Sequence, residues 1–250
     1  MILLDLLWWI GLAWFSGWVA LPLLAIPLLG PVLGLVVWAI LAPWSALVGM
    51  AAAHRLLPAS PEGTFKLFSD RGAVAWALKG WAPSLYLTVF QPIWFMNEGF
   101  QRIALRAFGA RLAPGALLTS RTIVREPHHL RVGAATLIGE YVHLVCSYQP
   151  RPKLLVVGSI DIGDRALVGA YSHLAPGVRV GADCLLEYGV RVGAHTTVGA
   201  GTRIGAGTSI YNSVTIGAGV TIGKGCLIPS GAEIPDGAKI PDGTIVKRGA

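Results

Sequence analysis

The chain has 250 residues, 54% of them hydrophobic and only 13% charged, with a formal net charge of +7. That is too apolar for one ordinary water-soluble domain of this size. The basic residues sit beside apolar sequence and are not interleaved with aromatics, which points to anionic lipid and excludes a nucleic-acid partner.

The first predicted element is a membrane hairpin over 1–55. From Leu6 to Ala53 there is no Asp, Glu, Lys or Arg, and all nine Trp lie between Trp8 and Trp94. A cleaved signal peptide starts with basic residues and carries an apolar run of about 7–15 residues. Here the early charge is Asp5, and the uncharged run is far longer. One span takes about 20 apolar residues, so the run holds two, with a tight turn near Gly30 and Pro31. Pro22, Pro27 and Pro43 would kink them, which membrane helices tolerate. A re-entrant or monotopic hairpin is the alternative. The following Arg55, Lys66, Arg71, Lys79, Arg102, Arg106 and Arg111 favour the cytoplasmic side of a bacterial-type inner membrane.

Residues 56–112 read as interfacial and amphipathic linker helices. The stretch WAPSLYLTVFQPIWFM (81–96) is apolar but broken by Pro83 and Pro92. Its Trp81, Tyr86, Phe90, Trp94 and Phe95 suit the membrane–water boundary. Asn97 is a predicted cap for a helix running through Arg111. Phe100, Ile103, Ala107 and Phe108 fall on one face of that helix, and Gln101, Arg102 and Arg106 on the other. Such a helix lies in the interface plane or packs on the end of the next domain.

Residues 113–250 follow a six-residue rule. Fifteen aliphatics, from Ile162 to Val246, recur every sixth position. Glycine often follows each one, and a small or β-branched residue comes four positions later. This period marks a parallel β-helix, three hexads per coil, with glycine expected to supply the unusual backbone angles at the turns. Val132, Ile138 and Leu144 continue the series backwards as one more coil. The pattern lapses over 146–159, read as an extruded loop containing Cys146. Cys184 and Cys226 fall on inward positions. The prolines at 229, 235 and 241 are expected to end the stack. No metal-ligand spacing is visible.

This rule closely resembles that of the hexapeptide-repeat acyltransferases, over 130–248. The resemblance implies a mainly β fold, a left-handed parallel β-helix, here preceded by an α-helical membrane segment. The order RIALRAFGARL, irregular stretch, first coil is similar to sugar O-acetyltransferases of cell-surface polysaccharide synthesis. A weaker similarity is to membrane-embedded C-terminal modules of polylysine-synthetase-type peptide synthetases. The resemblance implies acyl-CoA, acetyl-CoA in the simplest case, as co-substrate without a metal. It implies a trimer, and a histidine general base near the loop. The family's Ser-His-Asp keeps only its first residue here, Ser147, with Tyr148 and Gln149 in the other two positions.

The base therefore falls to one of His143, His173 or His195. Arg151 and Lys153 are candidates for coenzyme A phosphates, and Gly199 and Gly217 for the strip beside pantetheine. His128 and His129, in REPHHL, read as loop residues, and Tyr211 and Asn212 as structural, with Asn212 suited to a left-handed turn. The implied function is acyl transfer to a hydroxyl or amine of a cell-envelope glycan or related precursor. Membrane lipid, a lipid-linked glycan and a synthase are its expected partners. The alternative is a non-catalytic β-helix scaffold or accessory module.

Overall fold

The computed structural model describes residues 2–67, 69–90, 98–119 and 121–246. Helix α1 (Ile2–Ala20), a 3-10 turn carrying Pro22 (Leu21–Ala25) and the short α2 (Ile26–Leu29) lead to α3 (Pro31–Leu56). The turn is made by Gly30, whose φ is +77°. Two segments, Trp9–Leu29 and Pro31–Leu56, are long and apolar enough to cross a membrane. Trp14 donates from Nε1 to the Gly49 carbonyl at 3.2 Å, and Ser45 to the Trp18 carbonyl at 2.7 Å. These bonds stitch α1 antiparallel to α3. Helix α4 (Arg71–Val89) follows, then α5 (Glu98–Ala107).

Three sequence expectations for this region are corrected. Tyr86 and Phe90 do not face a membrane boundary. Tyr86 is 0% exposed, donates to the Pro43 carbonyl at 2.9 Å, and packs on Phe90 and Phe108. Helix α5 stops at Ala107 because Gly109 adopts φ +93°. Ala110 N–H bonds the Leu105 carbonyl and Gly109 N–H the Arg106 carbonyl, the glycine-terminated helix end. Its buried face also differs from the predicted one. Gln101 is inside and Ile103 outside, with Phe100, Ala104 and Leu105 completing the buried face. The expected Asn97 cap, with Pro92, Trp94 and Phe95, lies outside the described residues.

From Arg111 onward the chain is a parallel β-helix of three faces. Face 1 stacks seven strands, from Arg111–Leu112 to Glu233–Ile234. Face 2 stacks seven, from Leu117–Leu118 to Lys239–Ile240. Face 3 stacks six, from Ile123–Val124 to Leu227–Ile228. In each two-residue strand the second side chain points inward, so the six-spaced aliphatics form continuous internal ladders such as Leu112, Val132, Ile162, Val180, Val198, Ile216 and Ile234. A full coil, Leu112–Leu118–Val124, precedes the earliest one read from sequence. Buried threonines in the small-residue column are satisfied: Thr202 Oγ1 donates to the Gly217 carbonyl at 2.9 Å and accepts Val220 N–H at 3.2 Å.

The glycine after each aliphatic has a different cause from the one expected. It does not hold the left-handed conformation. That falls two residues later, at positions such as Gly201 (φ +69°), and also at Ala135 (φ +53°). The glycine after the aliphatic is a clearance residue: a Cβ on Gly199 would sit 2.4 Å from the Gly217 carbonyl carbon of the next coil.

The stack has a direction. Strand N–H groups donate to the following coil, as in Gly163 to Val180 and Arg179 to Thr196. Among the described residues, the first coil is therefore left with unclaimed strand carbonyls and the last described coil with unclaimed strand N–H groups. Helix α5 serves the first end: Gln101 Nε2 donates to the Thr122 carbonyl at 3.1 Å, and Arg106 Nη2 to the Leu112 carbonyl at 2.6 Å. At the other end, Pro229, Pro235 and Pro241 occupy the clearance position, where proline has no N–H to leave unpaired.

Gly199→Ala is expected to destabilise the β-helix by about 1–3 kcal/mol or more, as overpacking. Gly201→Ala should cost about 1 kcal/mol, since nothing lies within 4 Å of its Cβ position and only the backbone is penalised. Thermal melts followed by circular dichroism give the order; equal melting temperatures would contradict the clearance role.

Candidate functional site

Face 3 presents the outward ladder Ile123, His143, His173, Arg191, Ser209 and Leu227. The first residue of each strand points out, which places His143 and His173 on adjacent coils. Their rings lie 6.1 Å apart, centroid to centroid, tilted by 40°. His143 is exposed and His173 half-buried. Burial, then the neighbouring His143 and Arg191, hold His173 below the ordinary imidazole value. His195 is not part of this pair. It sits in the turn after Val192 with φ +57°, exposed, its N–H bonded to the Pro176 carbonyl at 2.9 Å.

The corner between faces 2 and 3 carries an aromatic column that the sequence reading missed. Tyr141 stacks on Tyr171 with centroids 4.9 Å apart, and Tyr171 meets Tyr188 at 5.3 Å. The Arg121 guanidinium lies 5.3 Å from the Tyr141 ring centre and bonds its hydroxyl. Tyr141 and Tyr171 hold φ +55° and +61°, a conformation costing non-glycine residues about 1–3 kcal/mol.

The lapse over 146–159 is a hairpin, Ser147–Arg151 with Leu154–Val157, and its second strand pairs antiparallel with Gly63–Lys66. Ala73, Leu155 and Val157 pack beneath it with Phe65 and Trp76. Arg151 and Lys153 are exposed at its tip, and Lys153 accepts Leu67 N–H at 2.8 Å. Ser147 is buried and donates to Glu126 Oε1 at 2.5 Å, so it presents no hydroxyl to solvent. Cys146, expected in a loop, is fully buried, and burial pushes its thiol well up.

His128 and His129 are likewise not solvated loop residues. His129 is buried, Nδ1 3.3 Å from Ser159 Oγ and Nε2 3.2 Å from Ser60 Oγ. Ser159 donates to Glu62 Oε1 at 2.5 Å, tying the segment before α4 to the third coil. The His128 ring lies 5.3 Å from His54 and 4.6 Å from His129. Among the described residues both its nitrogens are buried without a hydrogen-bond partner, and burial first, then neighbouring His129, His54 and Lys79, push it down to about 3. An irregular PHH reads as a loop because nothing in the sequence shows that α3 and α4 cover it.

Face 1 holds a groove of about 600 Å³ with the outward ladder Arg111, Arg131, Asp161, Arg179 and Thr197. Arg131 Nη1 meets Asp161 Oδ1 at 2.8 Å, and Arg179 Nε lies 4.0 Å from Oδ2. The lining sets Arg111, Arg131 and Arg179 against Asp161 and Asp164, which leaves the groove basic. The sequence hid this ladder because its members are spaced by 20, 30 and 18 residues. Gly199 and Gly217 follow the face 1 strands and are occupied as clearance residues. Asn212 keeps a structural role by other means: its Oδ1 accepts Ala194 N–H at 2.9 Å, and Ser213 takes the left-handed turn. Among the described residues, no group of three or more His, Cys, Asp or Glu is placed to hold a metal ion.

Residues 159–194 and 195–230 match the family of the bacterial transferase hexapeptide (six repeats), and residues 213–249 match the hexapeptide repeat of succinyl-transferase. Comparison with curated proteins finds no match. Among solved structures, AntD, an N-acyltransferase from Bacillus cereus in complex with dTDP and 3-hydroxybutyryl-CoA, is 16% identical, with a TM-score of 0.45 over 56% of this chain and 83% of that one. A UDP-N-acetylglucosamine acyltransferase is 19% identical, with a TM-score of 0.39 over 54% of this chain and 67% of its own. A variant of perosamine N-acetyltransferase from Caulobacter crescentus, in complex with CoA and GDP-perosamine, is 16% identical, with a TM-score of 0.30 over 64% and 61%.

The buried histidines make stability depend on pH. With its folded value depressed, His128 contributes stability that is complete above about 6.5 and is lost as pH falls toward about 3. His129, also lowered by burial, acts in the same direction. Glu126, raised by burial, opposes them. His128→Phe removes one titrating ring whose nitrogens bond nothing. The variant should melt at least as high as the parent at pH 7, and its loss between pH 7 and pH 5 should be smaller by about 2 kcal/mol. An identical pH profile in both proteins would show that His128 is not buried as a neutral ring.

Proposed function

We propose that this chain, whose residues 159–249 carry hexapeptide repeats of the bacterial-transferase type, is a membrane-anchored acyltransferase. It moves an acyl group, acetyl in the simplest case, from acyl-CoA to a hydroxyl or amine of a cell-envelope glycan precursor. The observation that carries this reading is the His143–His173 pair, held on adjacent coils of one face beside an aromatic corner. His173 is the general base. In its neutral form it takes the proton of the acceptor O–H or N–H, the freed oxygen or nitrogen bonds the thioester carbonyl carbon, the carbon–sulfur bond breaks, and the proton passes to the coenzyme A thiolate. His143, one coil away, positions the acceptor.

The two apolar helices anchor the enzyme, and the basic residues after them favour the β-helix on the cytoplasmic side. The arginine groove of face 1 is the surface offered to the phosphates of acyl-CoA. Faces 1 and 3 of a triangular prism point in different directions, so groove and histidines meet only between neighbouring copies. An exposed apolar ladder on face 2, Leu117, Leu137 and Leu167, supports side-by-side association as a trimer. A non-catalytic scaffold is the second reading. It is favoured by the pinned hairpin, in which Ser147 is buried and the positions beside it hold Tyr148 and Gln149.

Transfer of labelled acetyl from acetyl-CoA to the glycan fraction of membranes carrying the chain tests this. His173→Ala should lower turnover about 100-fold or more, His143→Ala less, and His195→Ala should match the parent. Because His173 titrates below its ordinary value, turnover should rise with pH and level off before pH 6.5. Parent-level turnover in both His143→Ala and His173→Ala would show that the base lies elsewhere, and an absence of transfer by the parent itself would favour the scaffold.

A further inference from the structure

A cavity of about 720 Å³ lies between the helices and the first coil, a volume typical of small-molecule sites. Its walls are apolar: Trp14 of α1, Ala53 and Leu56 at the end of α3, Trp76 and Trp81 of α4. Its floor is not. Arg125 and Glu126 close it from the first coil. Glu126 is only 4% exposed, and while Oε1 accepts from Ser147, Oε2 has no hydrogen-bond partner among the described residues. The indole N–H of Trp81 is also buried without a partner among the described residues, whereas that of Trp76 is directed at the Glu126 carboxylate without closing a full hydrogen bond. Buried polar atoms are normally paired, so the incompletely bonded Glu126 carboxylate and the unpaired Trp81 indole around one apolar cavity mark a place where another molecule supplies bonds. Gly80 also lines the cavity, and a Cβ there would meet nothing within 4 Å.

Position narrows the occupant. The cavity sits at the α3 end of the hairpin nearest the β-helix, where a bilayer chain would meet water. Arg125 is exposed there and offers a cation to a phosphate. Arg125 and Glu126 follow Ile123–Val124, the lowest strand of face 3, and His143 and His173 are the next two steps of that ladder. At about 4.8 Å per strand, His173 lies roughly 10 Å above the cavity floor, about the reach of one or two sugar units.

We propose that this cavity holds the hydrocarbon chain of a membrane amphiphile with a phosphate-bearing head, the phosphate at Arg125 and a head-group donor at Glu126. We assign that amphiphile as the acyl acceptor, an assignment that rests on the transferase reading above, whereas the binding itself does not.

The probe is hexadecyl phosphate, titrated against the full chain in detergent and followed by native mass spectrometry. The parent should bind one molecule per chain saturably. Gly80→Phe, which fills the cavity, should weaken binding at least tenfold while melting as the parent does, and Arg125→Ala should weaken it about fivefold. Unsaturated adducts alike in parent and variants would reveal only a detergent-like belt and overturn the site. Hexadecyl phosphate should also inhibit acetyl transfer in membranes carrying the parent; saturable, Gly80-sensitive binding without inhibition would overturn the acceptor assignment while leaving transfer itself standing. An absence of any acetyl transfer would remove the transferase reading and the assignment built on it, not the binding site.

Discussion

The hydrogen bonds of the coil stack run mainly one way, and much of this chain follows from that. Each coil hands strand N–H groups to the next, so the first coil presents carbonyls with no strand to claim them and the last presents the opposite. An open strand edge is a template for unwanted pairing. The two ends are closed by different chemistry because their unmet groups differ. Side chains with N–H donors, Gln101 and Arg106, meet the carbonyls at the start. At the finish, Pro229, Pro235 and Pro241 remove the N–H from the position that donates in earlier coils.

The first solution requires a helix, and the helix brings the apolar hairpin with it. Phe100 and Leu105 of the capping helix, with Phe108 just beyond its end, belong to one continuous core with Phe15, Met50 and Tyr86 on one side and Leu112, Leu118 and Val124 on the other. Lys79 joins the same seam, donating to the His54 carbonyl at 2.6 Å and the Leu57 carbonyl at 3.0 Å, where α3 ends. The helical hairpin is therefore not a tether on a flexible leash. It is packed against the first coil, and the foot of the histidine-bearing face is held at a fixed height above the apolar helices. A site that works on a membrane-borne molecule needs that fixed height, because a head group reaches only as far as its own length.

The architecture was legible in the sequence where one rule repeats without interruption. From Ile162 onward each aliphatic is inward, because the period of six is imposed by the coil itself. That His143 and His173 share a face was not legible, because the lapse over 146–159 lies between them. The first coil escaped notice because Ala113, Thr119 and Arg125 stand where glycine marks later coils, and because eight residues separate Val124 from Val132. Glycine was recognised as necessary for the wrong reason: composition shows that a side chain is absent, not whether clearance or backbone angle demands it. What stayed hidden depends on contacts between distant segments. Gln101 looks like a solvated helix residue until the Thr122 carbonyl stands opposite it, and His128 looks like a loop residue until α3 and α4 cover it. The arginine ladder of face 1 was scattered by the two insertions that break the period.

The account stands on the β-helix having kept a working acyl-CoA site. Calorimetric titration of acetyl-CoA into the detergent-solubilised, oligomerically homogeneous protein tests that most directly. The account predicts saturable binding in the micromolar range. A folded sample that releases no heat with millimolar acetyl-CoA would contradict it and leave the repeats as architecture alone.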